Sequence, residues 1–220
     1  MGIAVAPGNA SGTMNTALSA VRKAAAVFVS MGMLSIAVWA GEVRPSATQA
    51  TEFVAGLGDE AISAIANKSA SAEAKKESLA TVLERGFELD AIGKFVAGNA
   101  WANATPEQQT AYLSLFRSFV LQKYAAIFGD YSGQKFVVSN AVDSGERDVV
   151  VSSEIVKDGA PSVHTDWRVR AYEGALKIID VNVQGVSMLT SQREEFRAVI
   201  RQKGFDGLIE MLKEMTAETP

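Results

Sequence analysis

The chain has 220 residues, 48% of them apolar and 21% charged, a formal net charge of −4, no cysteine and a single histidine, His164. This is the composition of a globular chain with one main domain, and it excludes disulfides, thiolate metal sites and a histidine-rich metal centre. No basic run interleaved with aromatics occurs, which argues against nucleic acid as a partner.

Residues 1–23 contain no acid and carry Arg22 and Lys23; Ala24–Val38 then runs without a charge, and small residues stand at Val38 and Ala40. A basic stretch, an apolar stretch and a small-x-small site predict a secretory signal over residues 1–40, cleaved after Ala40, and a domain over 41–220. The apolar run is shorter than the roughly 20 residues a membrane span requires. All 25 acids and all but two of the 21 bases lie in the remaining chain, which is therefore acidic. The expected location is the periplasm.

Four helices come first. Val54, Leu57, Ala61 and Ile65 recur on one helical stripe, as do Leu79, Val82 and Leu83 before a stop at Gly86. A shorter helix clusters Leu89, Ile92, Phe95 and Val96, with Asp90 as its expected cap. Thr105, Pro106 and Gln108 spell a capping box with proline at the first helical position. The helix they open carries a broad stripe of Tyr112, Leu115, Phe116, Phe119, Val120, Tyr124, Ile127 and Phe128.

From Lys135 the period changes to two. Phe136, Val138 and Val142 share one strand face; Val149, Val151 and Ile155 another; Thr165, Trp167, Val169 and Ala171 a third; Ile179, Val181 and Val183 a fourth. Short turns separate them, so an antiparallel meander with one apolar face is expected. After Val183 the apolar parity slips to Val186 and Met188, with Gly185 at the change. A glycine there predicts a bulge that bends the strand and turns Val186 and Met188 back inward. Two helices close the chain, burying Phe196, Val199 and Ile200, then Leu208, Ile209 and Leu212, with Gly204 between. The expected fold class is α+β: one domain in which an antiparallel curved β-meander, cone-shaped in the NTF2-like manner, packs under the aromatic-faced helix and encloses an apolar cavity.

Catalytic groupings are sparse. The Gly-x-Ser at Gly185 lacks the second glycine of a nucleophile elbow. His164 lies in an outward register beside Asp166, and Glu194 and Glu195 point apart on a helix. Asp180 stands mid-strand on the face opposite the apolar set. Its readings are a structural carboxylate bonding backbone donors or an arginine such as Arg193, and a general base of the isomerase type. No catalytic residue, metal site or cofactor is expected.

Three stretches, "DAIGKFVAGNAWANATPEQQTAYLSLFRSFVLQKYAAIFGDYSGQKF", "TDWRV" and "IIDVNVQGVSMLTSQREEFRAVIRQKGFDGLIEML", resemble the MlaC family of phospholipid-binding, toluene-tolerance or ABC-transporter auxiliary proteins over most of residues 87–213. "TDWRV" and "GVSMLTSQREEF" are also similar to the hopanoid-associated HpnM relatives. One departure is Leu176, where the family usually places a tryptophan. The resemblance implies a non-enzymatic periplasmic carrier, monomeric, holding the acyl chains of a phospholipid or hopanoid between sheet and helices. It further implies exchange with an outer-membrane lipoprotein–porin complex and an inner-membrane ABC transporter complex, in the service of outer-membrane lipid asymmetry. The residues that suit acyl-chain contact are Phe116, Phe119 and Tyr124 from the long helix, and Val151, Trp167, Val169, Val181, Val183, Val186 and Met188 from the sheet and its end.

Overall fold

Ser46 opens the described part of the chain with a reciprocal cap: its hydroxyl accepts from the Gln49 amide, while the Gln49 side chain accepts from the Ser46 amide. The structure is a computed structural model that describes residues 43–127, 133–157 and 159–217, and for residues 124–127 the backbone alone. The expected signal over residues 1–40 and the side chain of Tyr124 lie outside these described residues.

Helix α1 (Ala47–Ala66) buries Ala50, Val54, Leu57 and Ile65 along one stripe. Helix α2 (Ala72–Gly86) is capped by the Ser71 hydroxyl, and α3 (Leu89–Ala97) and α4 (Asn99–Asn103) follow, joined at Gly98. Asp90 does not cap α3; it accepts two bonds from Arg117 of α5 (Pro106–Ile127) at 3.0 and 2.8 Å. The expected box at the start of α5 forms, with Gln108 N donating to the Thr105 hydroxyl at 3.2 Å and Thr105 N to Gln108 Oε1 at 2.9 Å. The last helix, α6 (Met188–Ala217), is interrupted at Gly204, whose φ of 72° and ψ of −177° no helix contains.

The strands β1 (Lys135–Ser144), β2 (Asp148–Val156), β3 (Val163–Tyr172), β4 (Ala175–Val183) and β5 (Val186–Ser187) form one antiparallel meander in sequence order. Two bulges alter the simple alternation. Ser139 has no partner between the pairs Val138–Ser153 and Asn140–Ser152, so the parity of β1 flips. Ala141 then joins the inner face, and Val142, expected inward, is 50% exposed. Ile179 is skipped between Arg168–Asp180 and Val169–Ile178, so Ile178 and not Ile179 is buried, in the same core as the half-buried Val181.

The slip at Gly185 is a chain reversal and not a bulge. Gln184 (φ 51°) and Gly185 (φ 85°) both lie in the left-handed region, as a two-residue type I′ hairpin requires, and Val183 pairs with Val186. Partners across a ladder share a face, so the turn itself moves the apolar set from odd to even numbers.

Two separate apolar cores result. In the first, α1 lies on the sheet, and Ala50, Val54 and Leu57 meet Val149, Val151, Val169 and Ile178. Gly58 permits this approach, since a Cβ there would collide with the Phe136 ring. In the second, α3, α5 and α6 bury Leu89, Val96, Tyr112, Phe116, Phe119 and Phe196 together with the second half of α6. The aromatic stripe of α5 therefore packs chiefly on α6 and α3, whereas α1 covers the centre of the sheet. The physical reason is that the stripe finds ring partners in α6: Phe196 meets Phe116 at 6.2 Å edge-on and Phe119 at 5.9 Å. Phe87, between α2 and α3, packs against both cores.

Candidate functional site

The register arranges the inner face of the sheet in rows across the strands. Val149, Val169 and Ile178 form one row, and Ala141, Val151, Trp167 and Val181 the next. Val138, Ser153, Thr165, Val183 and Val186 form a third, and Phe136, Ile155 and Val163 a fourth. Helix α1 buries the first row completely, together with Val151. At the far end the face opens: Val183, Ile155 and Phe136 are half-buried, Val163 is 36% exposed and Val186 52%. An apolar strip thus emerges from beneath α1 at the β4–β5 hairpin.

Polar atoms on this face are paired with one another. Ser153 and Thr165, both buried, bring their hydroxyls to 2.7 Å, and Trp167 Nε1 donates to Ser153 Oγ at 2.8 Å. No unmet donor from this group stands against the strip, so it presents hydrocarbon and satisfied hydroxyls. Ser153 is a functional-face residue that periodicity missed. Its alternation with Val149 and Val151 places it inward, but a serine carries no apolar signal.

The residues expected to contact acyl chains fall into three groups. Val151, Trp167, Val169 and Val181 belong to the core between α1 and the sheet. Phe116 and Phe119 belong to the helical core instead, so they and the sheet set do not line one common chamber. Val183 and Val186 stand on the open strip, with Met188 half-buried just beyond. Val186 shares the inner face with its partner Val183, as expected, but is 52% exposed because it lies at the open end of that face.

Between α1 and the sheet, Ala50, Val54 and Leu57 pack against Val149, Val151, Val169 and Ile178. Two grooves lie elsewhere, between helices. One of about 470 Å³ runs between α1 and α2, lined by Asp59, Glu60, Ser63, Ser78, Thr81 and Val82. One of about 170 Å³ lies between α5 and α6, where Phe119, Phe196, Val199, Met211 and Met215 sit beneath Lys123.

The outer face carries the polar residues. Asp180 accepts from Ser187 Oγ at 2.8 Å and from the Leu189 amide at 3.1 Å, while Ser187 Oγ accepts from the Thr190 amide. Its carboxylate thus anchors the N-terminus of α6, where negative charge is favoured. This is the structural alternative, reached through backbone and not through Arg193. His164 is held between Glu154 (Nδ1 at 2.9 Å) and Asp166 (Nε2 at 3.1 Å), and hydrogen bonding to Glu154 raises its pKa above the ordinary imidazole value. Both ring nitrogens are engaged by carboxylates, and among the described residues the neighbouring Ser152 hydroxyl bonds Asp166 and not the ring. The described residues include no group of three or more His, Asp or Glu side chains arranged to hold a metal ion.

Comparison with known proteins places this architecture. Residues 56–214 match the family described as MlaC protein. The chain is 23% identical over 134 residues to the intermembrane phospholipid transport system binding protein MlaC of Haemophilus influenzae, an alignment covering 59% of this chain and 63% of that relative's length. The fold is similar to that of a phospholipid-binding protein from Ralstonia solanacearum solved in complex with a phospholipid. The TM-score is 0.69 at 23% identity, covering 77% of this chain and 97% of that one.

Proposed function

The chain belongs to the MlaC family, and from that premise we propose that it is a phospholipid-binding carrier of the periplasm, exported by the segment 1–40 and not an enzyme. It takes lipid from an outer-membrane lipoprotein–porin complex and passes it to an inner-membrane ABC transporter complex. The observation that carries this reading is the inner face of the sheet, largely apolar, with the buried hydroxyls of Ser153 and Thr165 paired and the face open at Val163, Val183 and Val186.

The energetic need for such a protein is large. Two acyl chains of about 30 methylenes in all cost roughly 25 kcal/mol to expose to water, at ~0.8 kcal/mol each. A carrier must offset most of that with a dry apolar lining, and it must still release to a membrane. Acyl chains reach such a lining by parting layers that already exist. The seam between the two cores is suited to this, since Phe87 packs against both. Chains laid from the strip toward Phe87 would touch Trp167, Val181, Val183 and Val186, with Met188 at the margin. The headgroup stays in solvent at the hairpin, which implies little headgroup selectivity.

The test is solvent extraction of the purified protein followed by lipid mass spectrometry, which also separates phospholipid from hopanoid cargo. About one lipid per chain is expected. The pair Val163→Asp with Val186→Asp should fold and carry little lipid, because both positions are already exposed. Val142→Asp, equally exposed on the outer face, should carry the full amount. Wild-type protein repeatedly isolated without lipid, or a loaded Val163/Val186 variant, counts decisively against the reading.

A further inference from the structure

Within an acidic chain, one surface gathers cations of which only Arg197 meets a carboxylate among the described residues. It is assembled from α3, the α3–α4 junction and the first part of α6. The Arg193 guanidinium lies 4.4 Å over the ring of Phe95, which is 43% exposed. One position back on α3, the Lys94 ammonium stands 5.7 Å from the ring of Trp101 on α4. Gly98, between these helices, lies close enough that a Cβ there would sit 3.7 Å from the Arg193 guanidinium, so the two pairs adjoin. Arg197 and Arg201 follow Arg193 at steps of four and extend the same face along α6.

Among the described residues, Lys94, Arg193 and Arg201 form no ion pair, and Arg197 makes only an exposed contact of 3.4 Å with Glu194 of its own helix. Elsewhere arginines are matched: Arg170 is bidentate to the buried Asp148, Arg117 holds Asp90, and Arg85 meets Glu60. Cations stacked on rings are partly desolvated and pre-positioned.

We propose that this face, Lys94, Phe95 and Trp101 with Arg193, Arg197 and Arg201, docks the protein on the phosphate surface of an anionic lipid bilayer. The alternation of cations with aromatic rings is what selects a bilayer over an acidic protein. Cations meet phosphates while the exposed Phe95 ring enters the headgroup boundary, where aromatic side chains are favoured. The overall negative charge of the chain makes the attraction directional, because other faces are repelled and the molecule approaches this side first. Docking at this face does not depend on whether the inner face of the sheet carries lipid.

Flotation with vesicles of equal parts phosphatidylglycerol and phosphatidylethanolamine tests it, alongside vesicles of phosphatidylcholine. Binding is expected to the anionic vesicles at low salt, to fall at high salt, and to be weak on phosphatidylcholine. The triple variant Lys94→Glu, Arg197→Glu, Arg201→Glu should bind about tenfold more weakly or worse. Lys68→Glu, in the α1–α2 turn, should bind as the unaltered protein does. All three altered positions are exposed; should the triple variant nonetheless lose helicity, Arg201→Glu alone provides the same comparison with a smaller loss. Equal binding to both vesicle types, undiminished binding by the variant, or capture of an acidic protein without any vesicle binding overturns the proposal.

Discussion

Ser153 shows how a single hydroxyl can matter inside an apolar face. It is fully buried, touches the Thr165 hydroxyl and accepts the indole N–H of Trp167. Replacing one partner of a buried polar group costs more than the bond itself contributes, because the other partners lose their match without regaining water. Ser153→Ala should therefore destabilise the fold by about 1–3 kcal/mol, read from the urea midpoint. An unchanged midpoint would mean that water replaces the hydroxyl and that this part of the face is wet. Tyr112 illustrates the same rule in the helical core: its hydroxyl donates to the Gly93 carbonyl at 2.9 Å, and burial pushes its pKa up. Both residues lie on stripes that the pattern places inward, but their partners, Trp167 across the sheet and Gly93 on another helix, are not adjacent in the chain.

At the scale of elements, the hairpin at Gln184–Gly185 decides which residues reach the open strip. Both turn residues have positive φ, where a β-branched side chain is strained. Gly185→Val should cost about 1–3 kcal/mol and loosen the pairing of Val183 with Val186. Amide exchange at Val186 and Ser187 should then quicken while the centre of β3 stays protected; equal protection in both proteins would contradict the turn assignment. Helices and the first four strands were legible because apolar spacing and caps are local signals. The bulges at Ser139 and Ile179 were not, since a bulge is decided by the fit of two strands under a covering helix. The parity slip at Gly185 was visible, but a bulge and a two-residue reversal produce the same slip, and only the Val183–Val186 pairing distinguishes them.

At the scale of the described residues as a whole, two cores meet at Phe87, and the proposed carrier role bears on that division. A protein that admits acyl chains needs a plane along which it can part without exposing a single continuous core. Phe87→Ala should lower stability by about 2 kcal/mol, less than a fully buried phenylalanine would because Phe87 is only half-buried. If the seam is the path of the acyl chains, the same change should speed transfer of a fluorescent phospholipid to acceptor vesicles. Slower or unchanged transfer, with the stability loss present, would move the path elsewhere.

By itself the sequence determined the α+β class, the meander order, the start of the long helix and the inward sets of β2 and β3, because each follows from neighbours a few residues apart. The family resemblance was likewise carried by contiguous motifs. Tertiary structure decided which layer met which. The rings of α5 went to Phe196 and not to the sheet, α1 took the sheet, and Arg193 of α6 came to rest over Phe95 of α3. Periodicity records that a face is apolar or charged, but its partner is chosen by shape, ring geometry and chain reach across distances that no local pattern encodes.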